Sequence, residues 1–382
     1  MHNPHDVNIH NRRAFLKTIA GASVLTQRLL NATPAHARML SRDLTFPGQT
    51  WSIMDPQQAG WKPKSLAAAI DYGMKQQSSG IVVVHRGHII AERHTPDVRI
   101  TGAGRLRYRT LRHGTNQAGH AIEDVASVQK SVVSILFGIA QHRQLIRLQD
   151  TVTKHLGAGW SKADATAESR ITLRHLLTMS SGLNDKLEYR VPPGTKWQYN
   201  TGAYSQSLTA ICRAANMEPN PLTRKWLTSP LGMSDSKWVK RQTVSSAANR
   251  LGFATTARDL ARIGVLMLAR GEWNGVPIVH DKAYLRESIS PSQTMNPAYG
   301  YLWWLNGARS AIRSGRRVRG PLVPGAPDDL FAALGALGRK LYVVPSRQLV
   351  VARLGGDPGR GFGGTFWSRL MQAAPVQDNP SA

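Results

Sequence analysis

The stretch Asp124-Val125-Ala126-Ser127-Val128-Gln129-Lys130-Ser131-Val132-Val133 decides the fold of this 382-residue chain. Apolar residues follow Ser127 at Val132, Val133, Ile135, Leu136, Ile139 and Ala140, close to a 3.6-residue period, so a helix begins near the serine. Ser127 and Lys130 are three apart and share a helix face. An amine placed there reaches the serine oxygen, and when desolvated near other cations it can lose its proton and serve as base. The amides and positive dipole of a helix start favour negative charge developing at the serine. A second Ser-x-x-Lys, Ser234-Asp235-Ser236-Lys237, follows Pro230-Leu231-Gly232-Met233 in a turn-like stretch without that helical context. The motif alone leaves open a reading in which Ser127 is only a helix cap and Lys130 a solvated residue of the first turn.

Upstream, Ile81 to Arg93 reads as two strands around the turn at Gly87, and a polar, arginine-rich loop runs from about Asp97 to His120. From Ser127 to about Gly271 the pattern is mainly helical, clearest at Ile171 to Leu177 and Ala257 to Arg262, with Pro192-Pro193-Gly194 breaking it into a loop. Strands return at Tyr299 to Leu305, Leu330 to Leu334, Arg339 to Val344 and Gln348 to Leu354. Strands at both ends around a helical middle predict an α/β (α+β) fold. Its antiparallel sheet comes from both chain ends, with terminal helices at Lys64 to Lys75 and Thr365 to Ala373. A helical subdomain at roughly 140–271 is inserted, and the site lies at the seam.

Residues 1–37 contain Asn11-Arg12-Arg13-Ala14-Phe15-Leu16-Lys17, a weak apolar run from Thr18 to Thr26 and Ala35-His36-Ala37, a pattern resembling a twin-arginine export signal. Residues 38–382 then form the working domain, and the expected location is the periplasm. The lone Cys212 can form no internal disulfide and is expected to pack in an apolar helix with Leu208 and Ile211. The net charge is +26, with arginine clusters at 99–112 and 309–319. Such a surface attracts anionic envelope lipid or polymer. The clusters lack the interleaved aromatics of a base-stacking surface, so no nucleic-acid partner is expected. No stretch reaches the ~20 apolar residues of a membrane span. There is no His-Glu-x-x-His or zinc-spaced Cys/His set, so neither metal nor cofactor is expected. Gly-x-Ser-x-Gly is absent as well. Gly359-Arg360-Gly361-Phe362-Gly363-Gly364 lies too near the C-terminus for a dinucleotide unit and reads as a turn.

A further segment, Pro193-Gly194-Thr195-Lys196-Trp197-Gln198-Tyr199-Asn200-Thr201-Gly202, sits downstream. With Ser127-x-x-Lys130 it resembles the class C beta-lactamase and penicillin-binding-protein-like serine hydrolases, in the branch that includes 6-aminohexanoate-dimer hydrolases and carboxylesterases. Thr172 to Leu183, Thr256 to Leu260 and Tyr299 to Trp304 agree with the same resemblance. It implies a beta-lactamase/transpeptidase-like fold and a proton shuttle between Tyr199 and Lys130. Thr201 stands where that family usually has asparagine. From the residues themselves, a buried tyrosine beside a lysine can have a lowered phenol pKa and act as acid or base.

The third element of such sites is a strand ending in Lys-Thr-Gly or His-x-Gly, matched here by Ala333-Leu334-Gly335. The resemblance implies that the amides of Ala336 and Ser127 bind the oxyanion, and that Thr201 and Gly335 contact substrate. Ala333 supplies neither charge nor hydrogen bond for a substrate carboxylate, which disfavours beta-lactams; Arg339 is the candidate to compensate. The expected activity is hydrolysis of a small ester or amide through an acyl-enzyme. The alternatives are a D-alanyl-D-alanine carboxypeptidase, a class C-like beta-lactamase, or a catalytically silent binding protein for cell-wall peptide.

Overall fold

The computed structural model describes residues 44–102, 104–241 and 250–376; the export signal read at 1–37 lies outside them. Ile81-Val82-Val83-Val84 has no polar break because both faces of its strand are covered. Ile81 and Val83 enter one core and Val82 and Val84 the other. This strand, β1 (Ser78–His85), belongs to a six-stranded antiparallel sheet ordered β2 (His88–His94), β1, β14 (Leu349–Gly355), β13 (Lys340–Val344), β12 (Phe331–Leu334) and β9 (Trp304–Leu305), numbered in chain order. The sheet does come from both chain ends.

Helices Pro63–Lys75 and Phe362–Ala373 cover one face through Leu66, Ile70, Phe366, Trp367 and Leu370. The other face meets helix Ala257–Leu268, where Gly264 lets the helix come close: a Cβ there would stand 2.3 Å from Val350 Cγ1. Behind that face lies the helix Gln129–His142, buried on every side from Gln129 to Ala140. Its apolar periodicity therefore understates its burial. Continuous burial of this kind marks the centre of a large core rather than an amphipathic surface.

Two readings need correction. The span read as loop from Asp97 to His120 holds a short helix, Arg105–Leu111, and strand β3 (Arg112–Thr115). Only Tyr108 and Leu111 of that helix are buried, too few apolar anchors to show a period. The span 140–271, read as mainly helical, carries two strands besides its helices. It contributes β5 (Lys237–Lys240) and β6 (Leu251–Thr255) to a second sheet ordered β3, β4 (Ala121–Asp124), β6, β5. β5 buries only Trp238, while β6 is buried from Gly252 to Thr255, so neither alternates. The strand read at Tyr299 to Leu305 shrinks to β9, because Leu302 adopts φ +62 in a turn whose amide donates to Leu177 O. Two hairpins, the short β7 (Glu272–Trp273) with β8 (Val276–Pro277) and the arginine-rich β10 (Ser310–Arg313) with β11 (Arg316–Arg319), were not anticipated.

Candidate active site

β4 ends at Asp124, and the chain enters helix Gln129–His142 through a 3-10 turn, Ala126–Val128. Ala126 has φ +50, a conformation that costs an L-residue roughly 1–2 kcal/mol. Asp124 holds it there: its Oδ1 accepts from Ala126 N at 2.8 Å, and its carboxylate takes a two-pronged contact from Arg241, at 2.6 and 2.8 Å. The sharp turn places Ser127 at the mouth of the buried helix. Neither Asp124 nor Arg241 was singled out from the sequence; the signal was the acidic residue two before a turn and three before the serine.

Lys130 is 2% exposed. Its Nζ lies 3.2 Å from Ser127 Oγ and 3.3 Å from Thr201 Oγ1, and it pairs with no carboxylate among the described residues. The rings of Tyr204 and Tyr199 flank it with centroids at 4.2 and 4.9 Å. Burial, assisted by the Arg241 guanidinium, pushes the amine down to about 7. Half of such amines are neutral near neutral pH. The reading of Lys130 as a solvated residue is excluded.

Each residue of Tyr199-Asn200-Thr201-Gly202 has a distinct task. Tyr199 lines the same cleft as Ser127, with its ring over the Lys130 amine. Asn200 caps helix Thr201–Ala215 through Ala203 N at 2.8 Å and ties Leu183 O at 2.6 Å. Thr201 Oγ1 accepts from the Lys130 amine at 3.3 Å. A Cβ at Gly202 would fall 2.4 Å from Asp185 O, so only glycine lets these chains touch. Burial pushes the Tyr199 phenol up to about 12, which corrects the expectation of a lowered value. Desolvation sets the direction of the shift, and the phenol stays neutral at physiological pH.

On the opposite wall, β12 is followed by Gly335, where a Cβ would lie 2.4 Å from Val125 O. This close approach brings Ala336 beside Ser127, and both line one cleft. Arg339 is not available to substrate, contrary to expectation. It is fully buried with Nη2 2.8 Å from Glu123 Oε2, also fully buried. Glu123 further accepts from Ser79 Oγ at 2.5 Å, Tyr108 OH at 2.9 Å and Gly355 N at 3.1 Å. Arg353 donates to Leu337 O and Gly338 O at 3.2 and 2.8 Å. The two arginines thus brace the turn that presents the Ala336 amide, in which Leu337 holds φ +58. Glu123→Ala strands Arg339 without its anion, and removing one partner of a buried pair costs about 3–5 kcal/mol. Urea denaturation is expected to read a loss of that order; a loss below about 1 kcal/mol would show that the brace carries little weight.

Ala333 is buried in the larger core, so the side chain at this position adds nothing to the cleft. The cleft itself encloses about 920 Å³. Trp197, Tyr199 and Trp304 form an aromatic wall, with Tyr199 stacked on Trp304 at 6.1 Å and Tyr299 edge-on behind them. Ser234 lies in a turn, and its neighbour Ser236 bonds Asp259 at 2.8 Å, as a structural motif would. Cys212 packs half-buried against the core, where burial raises its thiol to about 12.

A family model for beta-lactamase matches residues 66–371. No curated protein matches the chain. Among solved structures, one from Bacteroides dorei assigned as a beta-lactamase superposes with TM-score 0.61 at 18% identity, covering 83% of this chain and 100% of that one. A Bacillus anthracis protein assigned as a 6-aminohexanoate-dimer hydrolase gives 0.59 at 17% identity, covering 87% of each chain. EstCE1, a hydrolase with promiscuous acyltransferase activity, gives 0.54 at 14% identity, covering 81% and 96%. At such identities the likeness speaks for the fold.

Proposed function

The chain belongs to the beta-lactamase family, and on that premise we propose that it is a serine hydrolase cleaving an ester or amide through an acyl-enzyme on Ser127. The observation that carries this reading is the buried Lys130 amine, 3.2 Å from Ser127 Oγ and without a carboxylate partner among the described residues. A neutral amine donating to Thr201 turns its lone pair to the serine. Ser127 Oγ attacks the carbonyl carbon and its proton passes to Lys130. The amides of Ser127 and Ala336 hold the oxyanion; one such donor is worth about 10²–10³ in rate. Collapse of the tetrahedral intermediate expels the leaving group, which takes the proton from Lys130 by way of the Tyr199 hydroxyl. Water then attacks the acyl-enzyme with the same residues in reverse roles, restoring Ser127.

A fluorophosphonate probe followed by peptide mapping is expected to place the adduct on Ser127. An adduct on Ser234, or none on protein that turns over ester, would sink the assignment. A panel of 4-nitrophenyl esters, linear amides and nitrocefin separates the esterase and amidase readings from a beta-lactamase. Turnover of none, with no adduct, would leave the silent binding protein.

We also propose export by the twin-arginine route, with the periplasm as the place of action and the basic surface as a contact for anionic envelope lipid or polymer. The support is Arg12-Arg13 before a weak apolar run, and the +26 charge. With both arginines changed to lysine, the protein is expected to stay in the cytoplasm, because recognition depends on the guanidinium pair. Undiminished periplasmic recovery of the Arg12→Lys/Arg13→Lys variant would overturn this.

A further inference from the structure

The cleft that holds Ser127 carries charge that acyl transfer itself does not require. Among the described residues its lining includes Lys196, Arg313 and Arg317 and no carboxylate. The two arginines stand on the β10–β11 hairpin, where Arg317 faces Ile312 across the ladder and Arg313 faces Arg316 beside the turn. Arg317 is oriented by donating to Met295 O at 2.7 Å and Ser310 Oγ at 3.0 Å, and Arg313 by donating to Leu322 O at 3.3 Å. These partners are all neutral. Neither arginine pairs with a carboxylate among the described residues, although both side chains are exposed. Each guanidinium has five donors, so several remain for a ligand. Guanidinium forks match a planar carboxylate with two parallel bonds.

Position alone distinguishes this pair from the other surface arginines. Arg105, Arg107 and Arg109 stand on a helix whose residues do not line the cleft, whereas Arg313 and Arg317 share a small-molecule-sized cavity with the nucleophile and the aromatic wall. The charge that Ala333 lacks and buried Arg339 withholds is thus supplied from a different element. Resting on the hydrolase reading above, we propose that the substrate is an ester or amide bearing a carboxylate, which Arg313 and Arg317 hold while its apolar body lies against Trp197 and Trp304.

Two matched substrate pairs test this on the purified protein. Mono-4-nitrophenyl adipate and its methyl ester place the carboxylate on the acyl side; 3-acetoxybenzoate and its methyl ester place it in the leaving group. Each kcat/KM is divided by the substrate's own hydroxide-catalysed rate. The acid is expected to exceed its methyl ester by about tenfold or more in at least one pair, mostly through KM, as a charge-assisted contact at a partly solvated site gives. That ratio should fall towards one in Arg313→Gln/Arg317→Gln and shrink in 0.5 M salt, where screening acts over about 4 Å. Equal rates in both pairs on active wild-type protein, or a preference that survives the double substitution, would overturn the carboxylate assignment while the hydrolase reading stands. Absence of turnover on all four together with absence of a Ser127 adduct would bring down the hydrolase reading, and this one with it.

Discussion

Ser127→Ala is expected to lower kcat/KM for 4-nitrophenyl butyrate by about 10³- to 10⁶-fold, the range seen when the nucleophile of a serine hydrolase is removed, while far-UV circular dichroism and Tm stay near wild type. The size of the loss follows from the absence of a substitute. Among the described lining residues, Thr195 and Ser314 carry the other hydroxyls of this kind in the cleft, and neither is recorded against Lys130, whose oxygen partners are Ser127 and Thr201. Thr201 is the first residue of helix Thr201–Ala215, and its hydroxyl is engaged by the Lys130 amine. The fold should tolerate the change because Ser127 sits at the partly open mouth of its helix and Ala126 is fixed through its backbone amide, not through the serine. Ser234→Ala serves as control and should keep wild-type turnover. A Ser127→Ala variant retaining more than about a tenth of the activity would place the nucleophile elsewhere.

Much of the architecture was legible because its determinants are local. The run Ile81 to Val84 announces a strand covered on both faces, and the period after Ser127 announces the helix that carries Lys130. Tyr199 and Thr201 were found through the family resemblance, and the structure brings both against Lys130. What stayed hidden depends on contacts between distant segments. Arg339 reads as an available cation six residues beyond Ala333, yet its fate is set by Glu123, more than two hundred residues upstream. The arginines of 309–319 read as generic surface charge, because nothing in a four-residue polar strand tells which wall of which cleft it will join. The direction of the Tyr199 shift was likewise missed, since proximity to a lysine argues for a lowered value and only burial reveals the stronger opposing effect.

Lys130→Met should be both inactive and more stable, and the two effects share one cause. The wild-type kcat/KM for a neutral ester is expected to rise tenfold per pH unit at low pH and level off above about pH 7, because only the neutral amine accepts the Ser127 proton and burial holds Lys130 at about 7. Methionine removes that base, and a loss of about 10²- to 10⁴-fold is the usual worth of one. The same burial disfavours the folded state whenever the amine is protonated. Its folded value of about 7 lies below the ordinary 10.5, so between those limits the unfolded chain binds more protons than the native one. Stability therefore rises with pH across this window, by up to about 1.4 kcal/mol per unit from this group, and the penalty is complete below pH 7. Methionine fills the site without a charge to desolvate. The gain of Lys130→Met over wild type in urea denaturation should then be larger at pH 7 than at pH 10. A rate limb near pH 7 that persists in Lys130→Met would assign the base to another group, and a variant no more stable than wild type at pH 7 would mean that the amine is not desolvated as its surroundings imply.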